Sequence, residues 1–246
     1  MKKILIVGAT SAIAIACARE WANEGASFYL VARDLTKLEQ VSSDLLARGA
    51  HSVAVEVMDA VDFSAHHAMI EKSIGVLHQI DIALIAHGTL PDQKECERNV
   101  DLALREIVAN GTSVISLLSI LAIQFEEQRC GTLVAISSVA GDRGRPSNYV
   151  YGAAKASISV FCQGLGARLH KKGVKVLDVK PGFVNTPMTA GLPLPQALVS
   201  SPEKVAAIIT RAVGRKSGVL YVPGFWQLIM LIIKLLPEAI FKRLNL

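Results

Sequence analysis

The sequence is poor in aromatic residues, at 5% of 246, and poor in charged ones, at 19%. With few aromatics, aliphatic side chains must fill the core, as in parallel sheets covered on both faces. Low charge together with 51% hydrophobic residues excludes a disordered chain. The four cysteines (Cys17, Cys96, Cys130, Cys162) lack the spacing of a metal clip or a redox pair. No metal site is expected, and reduced, mostly buried thiols in a cytoplasmic protein are the simplest account. No Lys/Arg run of the kind that tracks nucleic acid occurs, although the net charge is +5 and the pI about 9.1. The scattered basic excess suits a solvated surface, anionic phosphates or an anionic membrane face. No repeat, low-complexity tract or composition break marks a second domain.

Apolar and amphipathic segments alternate along the chain. Strands are predicted at 3–8, 26–32, 51–57, 81–86, 132–137, 174–180 and 218–222. Helices are predicted at 11–24, 34–48, 62–76, 149–171 and 202–215. Residues 95–128 read as two helices meeting near Asn110-Gly111. Asp34 is a plausible N-cap, and Gly49 falls just past that helix. The opening Met1-Lys2-Lys3 and the apolar run after it also have the outline of a secretory signal. A first strand, turn and helix is the preferred reading, because the strand predicted at 26–32 completes a βαβ unit with them. The expected fold is α/β, a single doubly wound, Rossmann-type parallel sheet of about seven strands. Residues 1–222 would form the cofactor-binding and catalytic domain, and 223–246 an apolar C-terminal extension.

In such sheets ligands bind beyond the carboxyl ends of the strands. The first strand runs into Gly8, Thr10, Ser11, Ala12 and Ile13, a small-residue turn that opens a helix. Its N–H groups and helix dipole can meet a pyrophosphate. Ala12 and Ala14 stand where glycine would be expected. Arg33 ends the second strand, where an acidic residue would bind the ribose of NAD. A guanidinium there can instead take a 2′-phosphate, which favours NADP, with NAD still open. Its rival reading is a surface arginine paired with a carboxylate. Asp59 ends the third strand and either reaches an adenine edge or caps the next helix.

Ser138 ends the fifth strand, and Tyr151 and Lys155 share a face of one helix. With ISSVAG (136–141), YGAAK (151–155), Asn110 and PGFVNT (181–186), the sequence resembles the classical short-chain dehydrogenase/reductase family over roughly residues 3–222. The resemblance implies that Tyr151 protonates a carbonyl oxygen and that Lys155 lowers its pKa and holds the nicotinamide ribose. It also implies that Ser138 hydrogen-bonds the substrate oxygen and that Asn110 holds a water in a proton relay. Pro181, Gly182, Val184 and Thr186 would meet the nicotinamide. Where members of the family carry Asn-Asn-Ala-Gly, this chain has Ile85-Ala86-His87-Gly88, so ribose contacts at Ala86 and Gly88 fall to backbone. His87 reads as a satisfied loop histidine near the cleft.

The tail holds the apolar run 228–233, far short of the roughly 20 residues that span a bilayer. Trp226 and Phe225 at one end, and Lys242 and Arg243 at the other, suit peripheral contact with the inner face of a membrane. An oligomer interface is the rival, and a homo-oligomer is expected. The tail and the Ser-Ala-Ile-Ala turn are similar to a subgroup that includes reductases of polyprenyl-phosphate-linked keto-sugars. The expected activity is NADP(H)-dependent interconversion of a ketone and an alcohol, on a small-molecule or lipid-linked substrate shaped partly by residues 187–201. The alternatives are a 3-oxoacyl or sterol-like ketone reductase and, from another class, a non-catalytic dinucleotide sensor or partner-binding module.

Overall fold

The aliphatic runs become strands because each sends alternate side chains to two covered faces. The computed structural model describes residues 1–243. Its strands are β1 (Lys3–Val7), β2 (Ser27–Ala32), β3 (Ser52–Val57), β4 (Ile82–Ile85), β5 (Thr132–Ile136), β6 (Lys175–Pro181) and β7 (Gly218–Val222). They form one parallel sheet in the order β3-β2-β1-β4-β5-β6-β7. The winding direction reverses between β1 and β4, which register Ile4–Val7 against Ile82–Ile85.

Along β1, Ile4 and Ile6 enter one core while Leu5 and Val7 enter the other, the period of two that a strand imposes. Helices α1 (Ala12–Ala22), α2 (Leu35–Ala47) and α8 (Pro202–Ala212) cover the first face. Trp21, Phe28, Leu38 and Ile209 are fully buried there. Helices α3 (His66–Leu77), α6 (Ser113–Gln128) and α7 (Tyr149–His170) cover the second, through Met69, Leu117, Phe125 and Ile158. Each large aliphatic side chain buried in this way contributes roughly 1.5–3 kcal/mol. Asp34 caps α2 as expected, accepting from Lys37 N at 3.0 Å. Asp59 does not cap the next helix. It closes a turn to Val61 N at 3.2 Å, while Asp62 caps the helical entry, accepting from Ser64 N at 3.1 Å.

The stretch predicted as two helices is more divided at its start and more continuous at its middle. Helices α4 (Gln93–Arg98) and α5 (Val100–Ile107) part at Asn99, whose extended backbone ends one and whose side chain caps the other. At Asn110-Gly111 there is no break. A π-helical turn, Val108–Thr112, carries α5 into α6. One extra residue is absorbed by i→i+5 bonding, and Asn110 is turned fully inward. The whole stretch, Val100–Gln128, has the length and apolarity of a membrane-crossing helix, yet α6 lies on the sheet through Val114, Leu117, Leu118 and Leu121.

The apolar extension folds back onto the domain as α9 (Phe225–Leu235) and α10 (Glu238–Phe241). Trp226 and Met230 are buried against Val139. Arg143 donates to the carbonyls of Ile233 and Leu236 at the end of α9, and its guanidinium lies 3.9 Å from the centre of the Phe241 ring. The opposite face of α9, with Leu228, Leu231, Ile232 and Leu235, is exposed. Residues 244–246 of the expected extension lie outside the described residues.

Candidate active site

The carboxyl ends of the strands open into one cleft of about 1820 Å³. Every residue predicted to bind cofactor lines it, from Gly8, Thr10, Ser11, Ala12 and Ile13 to Pro181, Gly182, Val184 and Thr186. Arg33, Asp59, Ala86, Gly88, Ser138, Tyr151 and Lys155 line it too. Asn110 does not: it is fully buried behind the wall.

The turn after β1 needs glycine. Gly8 has φ +82, and a Cβ there would meet His87 N at 2.4 Å. This close approach brings the β1 and β4 ends together beside the first turn of α1, whose leading N–H groups have no partner within the helix. Ser11 is the N-cap residue and makes no side-chain cap bond. The alanine at 14 is accommodated, since Ala14 is wholly buried in the core under α1. Arg33 is exposed and makes no ion pair among the described residues, so the rival reading of a paired surface arginine falls away.

Ser138 extends from β5 and accepts from Ala140 N at 3.1 Å, capping a short 3-10 turn (Val139–Gly141). It also lies near enough to Tyr151 to pull the tyrosine's pKa downward. The turn and α7 interlock: a Cβ on Gly152 would meet Ala140 O at 2.8 Å. Lys155 Nζ sits 5.6 Å from the centre of the Tyr151 ring and donates to Ile136 O at 3.0 Å. The expected lowering of the Tyr151 pKa is not found. Burial raises it to about 12, against a smaller downward pull from Ser138. Burial also lowers Lys155 to about 8, partly offset by Asp178. Tyr151 therefore stays a phenol at neutral pH, the form that can give a proton. Tyr149, two residues earlier, is exposed and outside the cleft.

Asn110 works from behind. Its Nδ2 donates to Thr89 Oγ1 at 2.9 Å and to Glu106, and its Oδ1 accepts from Thr89 N at 2.8 Å. Both N–H groups are engaged, so only a lone pair on Oδ1 is left for the expected relay. A Cβ on Gly88 would meet that oxygen at 2.8 Å and Lys155 Nζ at 3.4 Å. Gly88 is thus the spacer that lets Asn110 and Lys155 share one spot.

His87 is only half satisfied. Ser113 Oγ donates to Ala109 O at 2.9 Å, so His87 Nε2 must donate to Ser113 Oγ at 2.8 Å. Desolvation by burial, with the nearby Lys155 charge, lowers its pKa to about 3. Its Nδ1 is a neutral acceptor with no partner. Among the described residues, six buried side-chain polar atoms lack partners. Four of the residues bearing them line this cleft: His87, Arg145, Asn148 and Trp226. Such atoms are rare in folded proteins. The small-residue turn, and Arg33 unpaired among the described residues, fit a dinucleotide.

Sequence reasoning passed over several of these groups. Arg145, Asn148, Thr89 and Glu106 stand in polar loops or helix ends with no motif. The buried network of Asp142, Lys180, Tyr221 and Asp178 did leave a signal, as Asp178 and Lys180 within the strand run VKVLDVK.

A model of the short chain dehydrogenase family matches residues 2–196. The chain belongs to the short chain dehydrogenase family. Two relatives are similar over almost its whole length. An uncharacterized oxidoreductase of Mycobacterium tuberculosis is 35% identical over 98% of this chain and 96% of its own. An uncharacterized oxidoreductase encoded in the mprA 5′ region of Streptomyces coelicolor is 36% identical over 99% and 96%. Among solved structures, a variant of the actinorhodin polyketide ketoreductase with NADPH has the same fold, with a TM-score of 0.81 at 22% identity over 91% of this chain and 96% of that one. This short chain dehydrogenase is an NAD(P)-dependent oxidoreductase.

Proposed function

We propose that this short chain dehydrogenase is an NADP(H)-preferring reductase of a hydrophobic ketone, with Tyr151 as proton donor. The observation that carries this reading is Ser138, Tyr151 and Lys155 lining one cleft, with Lys155 Nζ 5.6 Å from the centre of the Tyr151 ring. Residues 8–13 would hold the pyrophosphate, Arg33 the 2′-phosphate and Lys155 a ribose. Asp59, Ala86 and Gly88 would meet the adenosine half, and Pro181, Gly182, Val184 and Thr186 the nicotinamide. Bound reduced nicotinamide supplies the hydride. Ser138 donates a hydrogen bond to the substrate oxygen, and Tyr151 delivers the proton that makes it an alcohol. The resulting phenolate is stabilised by the Lys155 ammonium, which can then reprotonate it. Asn110 would hold a relay water through Oδ1.

The substrate end of the cleft is walled by Met188, Leu192, Leu194, Leu198, Ile229 and Ile233, which supports an apolar substrate. A lipid-linked keto-sugar is one member of that class. Peripheral membrane contact through the exposed face of α9 belongs to the same proposal. A panel of ketones, lipid-linked ones included, assayed by NADPH absorbance tests it. Oxidation of NADPH at least about tenfold faster than of NADH, dependent on an apolar ketone, is expected. No ketone-dependent oxidation with either nucleotide would overturn the reading.

A further inference from the structure

The substrate end of the cleft holds a positive charge that this reaction does not use. Arg145 lies in the loop between Ser138 and α7, three residues before Asn148 and six before Tyr151. Its Nη2 is 3.4 Å from Met230 Sδ, so the guanidinium rests against the wall built by α9. Among the described residues its Nε–H has no partner, nor has Asn148 Oδ1, nor the indole N–H of Trp226 one turn before Met230. Asp142 is the one carboxylate among the described residues whose charge bears on Arg145. Both of its oxygens are engaged, one by Lys180 Nζ and one by Tyr221 Oη at 2.6 Å. Asp92, Glu97 and Glu106 also line the cleft, and their charges do not bear on Arg145. Arg143, two residues earlier, shows the alternative use of such a side chain: it is bound to the carbonyls of α9.

A guanidinium drawn into an apolar wall with no counter-ion among the described residues is unfavourable, and burial lowers its pKa accordingly. A ligand that brings negative charge removes that penalty, and a guanidinium matches carboxylate and phosphate geometry. We propose that Arg145 forms an anion subsite, so that the substrate is an apolar ketone carrying a carboxylate or phosphate group. This rests on the reductase reading of the same cleft and narrows its substrate class. The anion sets the orientation, because the apolar wall opposite discriminates only by shape.

Calorimetric titration of the chain with saturating NADP+, which blocks the nucleotide phosphate sites, tests this. The probes are decanoate, decyl phosphate and decan-1-ol. At least one anion should bind about tenfold or more tighter than the alcohol, as a charged hydrogen bond allows. Which anion does so separates the carboxylate source from the phosphate source. Arg145→Gln should bring that anion to the affinity of decanol, while Arg145→Lys keeps part of the difference. Decanol and NADP+ affinities should stay within about twofold in both variants, which also reports an intact fold. Equal affinity for all three probes, or a preference that survives Arg145→Gln, would overturn the proposal. Because the ratio needs no turnover, its failure is distinct from failure to reduce any ketone.

Discussion

At the β1–β4 end of the cleft the working groups are mostly backbone, brought together by close approach of small residues. Gly8 meets His87, and Gly88 fits between Asn110 and Lys155. At the β5–β7 end the working groups are side chains that meet across long stretches of sequence: Arg145 reaches Met230, and Trp226 packs edge-on to Phe183 at 5.1 Å. A backbone site tolerates changes of side chain as long as small residues stay small, as Ala12 and Ala14 are. A side-chain site changes its ligand with each substitution. The first end therefore suits a shared cofactor, and the second a particular substrate.

The largest effect expected is at the junction of the two ends. Lys155→Met should lower kcat/KM for ketone reduction about a thousandfold, since positioned proton-transfer groups contribute on that order. Its pH dependence comes from the same residue. Lys155 is an ammonium below about 8 and neutral above, whereas Tyr151 keeps its proton to about 12. The kcat/KM for reduction should be level at neutral pH and fall as pH rises through about 8. A profile that stays level until tyrosine ionises would contradict this ordering.

Next in size, Arg33→Asp should shift the NADPH/NADH ratio of kcat/KM toward NADH by about ten- to a hundredfold, the range of one or two charged hydrogen bonds. An unchanged ratio would remove Arg33 as selector and make the cofactor end a backbone site throughout. The smallest effect is expected at the exposed face of α9. Leu228→Ser with Leu231→Ser should lower binding to anionic liposomes several-fold, while thermal stability stays within about 0.5 kcal/mol, as for exposed positions generally. Unchanged liposome binding would remove the membrane contact and leave the inner face of α9 as a cleft wall only.

The same contrast governs how much is legible in the sequence. The seven strands are legible because each aliphatic run is bounded by turn residues and has both faces buried. Tyr151 and Lys155 are legible because helical spacing alone puts them on one face. The π-helical turn at 108–112 is not, because Asn-Gly has the look of a helix break and i→i+5 bonding leaves no mark in composition. The raised Tyr151 pKa is hidden because it depends on burial, while the sequence displays only the neighbouring lysine. Arg145 and Arg143 are two residues apart in one loop, and only the fold shows that one is bound by α9 and the other left open to the cleft.

Tyr151 gives the proton, in this reading, within a cleft that grips its cofactor by other means. Measuring NADPH binding and ketone-dependent NADPH oxidation on Tyr151→Phe tests that division most directly. NADPH affinity should stay within about twofold of the parent chain, and oxidation should fall by about a hundredfold or more. Turnover equal to that of the parent, with binding intact, would contradict it.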